Sequence, residues 1–202
     1  MFDRRSVLLG LAVSAVAPAA LARTAFQDQP AGGPDAALVE ALDAAFMEAA
    51  RTSPETLTGL GLKERYGELD DYTAQGAADS LALAERQTAN ILARFGEADL
   101  SEQGQLSLRL LADGLAQQQR LFQYRRHQYL ITKAGSVMSS LPVMLMNQHS
   151  VADVSDARAY ISRLTAAERV MREVTAEFRA RAEAGFAPPA LTYQPNLTTG
   201  RA

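Results

Sequence analysis

The stretch "TAQGAADSLALAERQTANILARFG" (residues 73–96) decides the fold class. Thr73 is suited to accept a hydrogen bond from a free first-turn amide, and Gly96 is suited to end the run. Between them Ala77, Leu81, Ala84, Thr88, Ile91, Leu92 and Phe95 recur at helical spacing, with polar residues on the other face. A strand would alternate every second residue, and this segment does not. It predicts an amphipathic helix of about six turns.

The same grammar repeats outward. Upstream, Asp35 is placed as a cap before Leu38, Leu42, Phe46 and Ala49. "SPETLTGLGL" (53–62) restarts the chain: Ser53 caps, Pro54 fits the first turn, and Gly59 and Gly61 stop it. Downstream, Ser101 caps a long helix with Leu108, Leu111, Leu115 and Phe122 on one face, which Leu106, Leu110 and Leu121 widen. After His127 the pattern loosens, and residues 128–138 read as an extended segment or a short strand. Ser140, Leu141 and Pro142 read as the start of a short helix carrying Val143, Met144, Leu145 and Met146. Ser155 caps the next helix, which presents Tyr160, Ile161 and Leu164. Thr165 and Glu168 have capping-box spacing, which predicts a kink before Val170, Met171, Val174 and Phe178. Gly185 ends that helix. The expected fold is all-α, an irregular multi-helix array. Its expected core is Leu42, Phe46, Leu81, Ile91, Phe95, Leu111, Leu115, Phe122, Leu164, Val174 and Phe178.

Composition narrows the function classes. The chain has 202 residues, 48% of them hydrophobic, with 20 basic and 23 acidic side chains. Without a basic excess, nucleic acid is not an expected partner. Cysteine is absent, which removes disulfides, thiol nucleophiles, thiolate metal sites and a lipid-bearing N-terminal cysteine. Residues 1–22, "MFDRRSVLLGLAVSAVAPAALA", read as a signal peptide: Arg4 and Arg5, an apolar run, then Ala20-Leu21-Ala22 as a cleavage site. The run is shorter than the ~20 residues that span a bilayer. Paired Arg before Ser-Val-Leu-Leu suits a twin-arginine signal. The expected location is periplasmic, without stable membrane insertion after cleavage. Residues 23–34, punctuated by Pro30, Gly32, Gly33 and Pro34, read as a linker, and 35–202 as a helical domain.

Reactive groups are few. His127 and His149 are the only histidines, and neither begins His-Glu-x-x-His, the spacing that sets two imidazoles on one helix face beside a general base. No Gly-x-Ser-x-Gly elbow surrounds Ser136, and no phosphate-binding loop occurs. Glu68, Asp70 and Asp71 in "GELDDY" offer either a carboxylate cluster or a turn whose side chains bond nearby amides. Arg125-Arg126 offers either an anion clamp or a complement to a helix end, and Met144 and Met146 offer either the lining of a substrate groove or a core. No catalytic, cofactor-binding or metal residue is assigned.

"GSVMSSLPVMLMNQHSVADVSDARAYISRL" (135–164) resembles the N-terminal half of the bacterial family called domain of unknown function 885. The resemblance rests on Leu141-Pro142 after Gly-Ser, on His149, and on the helix bearing Asp156, Ala157, Tyr160 and Leu164. "AEAGFAPP" (182–189), "SPETLTGLGL" and "LDDYT" fit the same order. The resemblance implies a zincin-like zinc metallopeptidase whose His-Glu motif lies later in a longer chain. It also implies that this sequence is cut off before that motif, and that His149 is a structural or cleft-lining residue. Zinc and a peptide substrate are then implied only for the full-length protein, with no cofactor in this chain. The alternative is a non-catalytic periplasmic helical interaction module. A binder using His127 and His149 is a third reading.

Overall fold

The computed structural model describes residues 32–132 and 135–193. Among these residues six α-helices follow one another: α1 Pro34–Thr52, α2 Pro54–Gly59, α3 Ala74–Phe95, α4 Glu102–Phe122, α5 Val137–Asn147 and α6 Val154–Glu183. Single 3₁₀ turns lie at Arg125–His127 and Ala190–Thr192. The only β pairing among the described residues is one isolated bridge between Ile131 and Ser136, which is what becomes of the expected extended segment. The fold is all-α. The segments expected to be a signal peptide (residues 1–22) and most of a linker (residues 23–31) lie outside the described residues.

Three predicted caps form as read. The hydroxyls of Ser53, Thr73 and Ser101 accept from the amides of Thr56, Gly76 and Gly104. Gly185 takes φ 88°, and Phe186 N–H donates to Arg181 O at 2.8 Å while Gly185 N–H donates to Ala182 O. This left-handed closure satisfies two orphan carbonyls at the end of α6. Asp35 departs from expectation. Gly33 precedes α1 and Pro34 is already helical. The Asp35 carboxylate instead reaches the start of α4, accepting from Ser101 Oγ (2.7 Å) and Ser101 N (3.1 Å). Gly104 makes this possible, because a Cβ there would overlap Asp35 Oδ1.

Two apolar cores result. The first joins α1, α3 and α4 through Leu38, Ile91, Phe95, Leu100 and Leu108, with Leu42 and Leu111 packed at its edge. The second joins α5, α6 and the loop after α2 through Leu69, Leu141, Met144, Leu145, Val170 and Val174. Ile91, Phe95 and Val174 are therefore core residues as expected, whereas Phe46 is 55% and Leu164 51% exposed. Leu42, Leu81, Leu111, Leu115, Phe122 and Phe178 are partly buried. Leu106, Leu110 and Leu121 face outward on α4.

α5 and α6 differ most from the reading of their sequence. α5 begins at Val137, so Pro142 lies inside the helix rather than in its first turn. Asp153, not Ser155, caps α6, accepting from Asp156 N at 3.0 Å. α6 then runs unbroken for 30 residues. Thr165 Oγ1 donates back to Ile161 O, and Glu168 pairs with Arg172 one turn on, so the two never form a capping box. A Ser/Thr back-bond of this kind lets the residue sit in mid-helix.

Candidate functional site

α2 is followed by fourteen residues without regular structure, Leu60 to Thr73. Their backbone polar groups need partners outside the segment. α6 supplies many of them through charged side chains. At its centre stands Arg163, which is 0% exposed. Its Nε donates to Glu68 O (2.8 Å), and its Nη2 donates to Pro54 O (3.1 Å) and Thr58 Oγ1 (2.6 Å). Its Nη1 points to His149 Nδ1 at 3.0 Å and lies 3.8 Å from Met144 Sδ. None of these contacts is a carboxylate. The buried charge is dispersed over carbonyls, a hydroxyl and an imidazole, and Tyr66 lies with its ring centroid 5.2 Å from the guanidinium carbon. Burial pulls the guanidinium below its ordinary value, but arginine remains a cation in proteins.

His149 is buried between Arg163 and the first turn of α6. Its Nε2 lies 3.2 Å from Asp156 O. A guanidinium can only donate and a carbonyl can only accept. The two contacts together therefore require the neutral tautomer with the proton on Nε2. Tyr66 stacks on the imidazole at 4.0 Å between centroids, and Tyr160 meets it edge-on at 5.2 Å. Tyr66 is tied in turn by its hydroxyl to Ser150 O. Burial is the main influence that lowers the His149 pKa, and the neighbouring Arg163 charge adds to it. Asp156 completes the knot: Oδ2 pairs with Lys63 Nζ at 2.7 Å and accepts from Ala152 N at 2.9 Å. The Lys63 contact is the main reason its carboxyl lies below the usual range.

A second polar knot lies beside the first. Asp70 N–H donates to Glu55 Oε1 while Glu55 N–H donates to Asp70 Oδ1, so each carboxylate takes the other's amide. Ser53 Oγ donates to Asp70 Oδ2, and Tyr72 OH donates to both Glu55 oxygens. Burial raises the Glu55 carboxyl and the Tyr72 phenol. Arg169 on α6 donates to Leu69 O and Asp70 O and pairs with Glu173, whose Oε2 accepts from Tyr72 N. Asp71 Oδ1 accepts from Thr73 N at 2.8 Å. Asp71 therefore bonds a nearby amide, as a turn requires, whereas Asp70 reaches the amide of Glu55 and the hydroxyl of Ser53 on the far side of the loop. Glu68 instead pairs with Arg65 at the surface, and its carbonyl goes to Arg163.

The other singled-out residues are scattered. His127 is exposed and rests against the Phe186 ring at 4.1 Å. Arg125 lies over Phe122 and bonds its carbonyl. Met144 is buried, but Met146 is 69% exposed. Among the described residues no group of three or more His, Asp or Glu side chains is arranged to hold a metal ion. His149 has both ring nitrogens committed and His127 sits apart, so this donor set does not fit a zinc site. No described helix is long and apolar enough to cross a membrane. The residues that sequence reading missed are Lys63, Tyr66 and Arg163. The available signal was the seven-residue spacing of Asp156, Arg163 and Val170, which sets all three on one face of α6.

Residues 54–199 match the family described as bacterial protein of unknown function (DUF885), so the chain belongs to that family. No curated protein matches it. No solved structure matches it.

Proposed function

We propose that this chain is the exported helical scaffold of a metallopeptidase-like protein, and that its own residues carry no catalysis. The observation that carries the reading is the closed state of His149. A ligand histidine needs a free ring nitrogen, and both nitrogens of this one are engaged by Arg163 and Asp156. The metal chemistry that the resemblance implies then belongs to a later His-Glu motif. The export signal supports the periplasmic setting through Arg4, Arg5 and Ala20-Leu21-Ala22.

The test is metal content together with activity. Purified chain beginning at Arg23 is expected to hold substoichiometric zinc and to show no chelator-sensitive peptide cleavage. Stoichiometric zinc that is lost in His149→Ala overturns the reading. N-terminal sequencing of protein from its native host should begin at Arg23, and retention of Met1 refutes export.

The interaction-module reading draws on exposed apolar side chains: Val143 and Met146 on α5, and Ile161 and Leu164 on α6. Sequencing the DNA that follows codon 202 separates the two. A continuation encoding a His-Glu motif favours the scaffold, and unrelated sequence favours the module.

A further inference from the structure

His149 sits where a proton has nowhere to go. Nδ1 faces the Nη1 donor of Arg163 at 3.0 Å, and Nε2 faces Asp156 O at 3.2 Å. Adding a proton at Nδ1 sets two donors against each other and places a second cation beside a fully buried one. The charged and titratable groups around the ring cannot offset this. Asp156, on α6, already holds Lys63 with its carboxylate and offers the imidazole only its backbone carbonyl as a hydrogen-bond partner; its charge favours the imidazolium through space but is outweighed by burial. Asp153 caps α6 and bonds Ser155. Tyr66, from the loop after α2, and Tyr160, on α6, present ring faces and edges. Lys63 adds positive charge from the same loop. Glu55, on α2, acts on Arg163 through space but is committed to Tyr72 and Asp70. α5 contributes Met144, which is not ionisable.

We infer that His149 is a proton-operated latch: uptake of one proton breaks the His149–Arg163 contact and loosens α6 from α2 and the 60–73 loop. The elements it would free are those that Arg163 joins, namely Pro54 and Thr58 on α2 and Glu68 in the loop. The α1–α3–α4 core holds no part of the knot and stays closed.

The sign follows from linkage. The folded state favours the neutral imidazole, and the unfolded chain takes up a proton near pH 6.5. The latch therefore holds fully above that value and weakens as pH falls below it. Asp156 stays ionised in this range because its carboxyl is depressed. Glu55 acts in the opposite sense, since a raised carboxyl favours the acid form.

The experiment uses the whole described chain between pH 7.5 and 5. Imidazole resonances should place the midpoint of His149 below 6.5. Amide exchange, corrected for intrinsic rates, should accelerate in residues 54–68 and 144–163 as pH falls, while 80–95 and 104–115 keep their protection. His149→Gln can still accept from Arg163 and donate to Asp156 O, and it should lose the pH dependence. His127→Gln should retain it. Equal acceleration in both groups of segments overturns the proposal, as does an unchanged pH dependence in His149→Gln. Should that variant not fold, the wild-type titration decides alone: a His149 midpoint at or above 6.5 refutes the latch.

Discussion

Arg163 Nη1 stands 3.0 Å from His149 Nδ1, which makes a neutral imidazole the acceptor for a guanidinium with no carboxylate among its contacts. The pair joins the end of α5 to the middle of α6, since His149 lies two residues past Asn147. It also turns the most polar side chain on the buried face of α6 into its anchor.

Arg163→Met preserves much of the bulk and removes every donor. Glu68 O and His149 Nδ1 lose the donor that Arg163 supplied, while Pro54 O and the Thr58 hydroxyl keep each other. Each buried acceptor left alone costs about 1–3 kcal/mol, so a loss of at least ~2 kcal/mol is expected in urea unfolding. Arg163→Lys should recover little of it, because a single ammonium cannot serve partners spread around a planar fork.

The register of α5 and α6 can be checked by paired truncations. Leu141 is buried in the second core and Leu164 is exposed. Leu141→Ala should cost about 2–5 kcal/mol, and Leu164→Ala should stay within about 0.5 kcal/mol of wild type. Equal losses in thermal melts would mean that α6 is rotated from the placement described.

Ser53 serves two purposes at the start of α2: its hydroxyl accepts from Thr56 N and donates to Asp70. Ser53→Ala should destabilise by about 1–2 kcal/mol. Ser53→Thr, which keeps the hydroxyl, should restore most of the loss. Denaturant midpoints of the three proteins measure it.

Asp156 gives the chain an acid limb distinct from that of His149. Its carboxyl is depressed, chiefly by Lys63. The stability it contributes is complete above the unfolded carboxylate value near 3.9 and is lost as pH falls through the folded value. Asp156→Asn should therefore flatten the fall in urea midpoint below pH 4.

Much of the helical layout was legible because caps are local. Ser53, Thr73 and Ser101 each need only a helix three residues ahead, and the sequence shows all of that. The N-terminal half of the α6 core was not legible, because hydropathy reads Leu164 as buried and Arg163 as exposed. The positions are adjacent, so the face was misplaced by one residue, about 100° on a helix. Arginine occupies the interior only because unpaired carbonyls more than 90 positions upstream receive it, a fact absent from any local window. Pro142 and Thr165 were read as boundaries for a similar reason. Each is a poor helix residue alone, but packing of Leu141, Met144, Val170 and Val174 carries the helices through both. His149 was read as structural or cleft-lining, and its two partners could not be named from spacing.

The family match opens at Pro54, but the packing opens twenty residues earlier. α1 lies wholly ahead of the match. It places Leu38 between α3 and α4, extends Glu48 to Arg86 and Gln87, and lends Asp35 to the first turn of α4. Recombinant fragments trimmed to the homology boundary would bare Ile91, Phe95 and Leu108 to water. The hydrophobic cost of that exposure favours self-association over a stable monomer. Expression designs for this protein should begin no later than Gly33, with α1 treated as part of the folding unit even though the shared sequence signature starts beyond it.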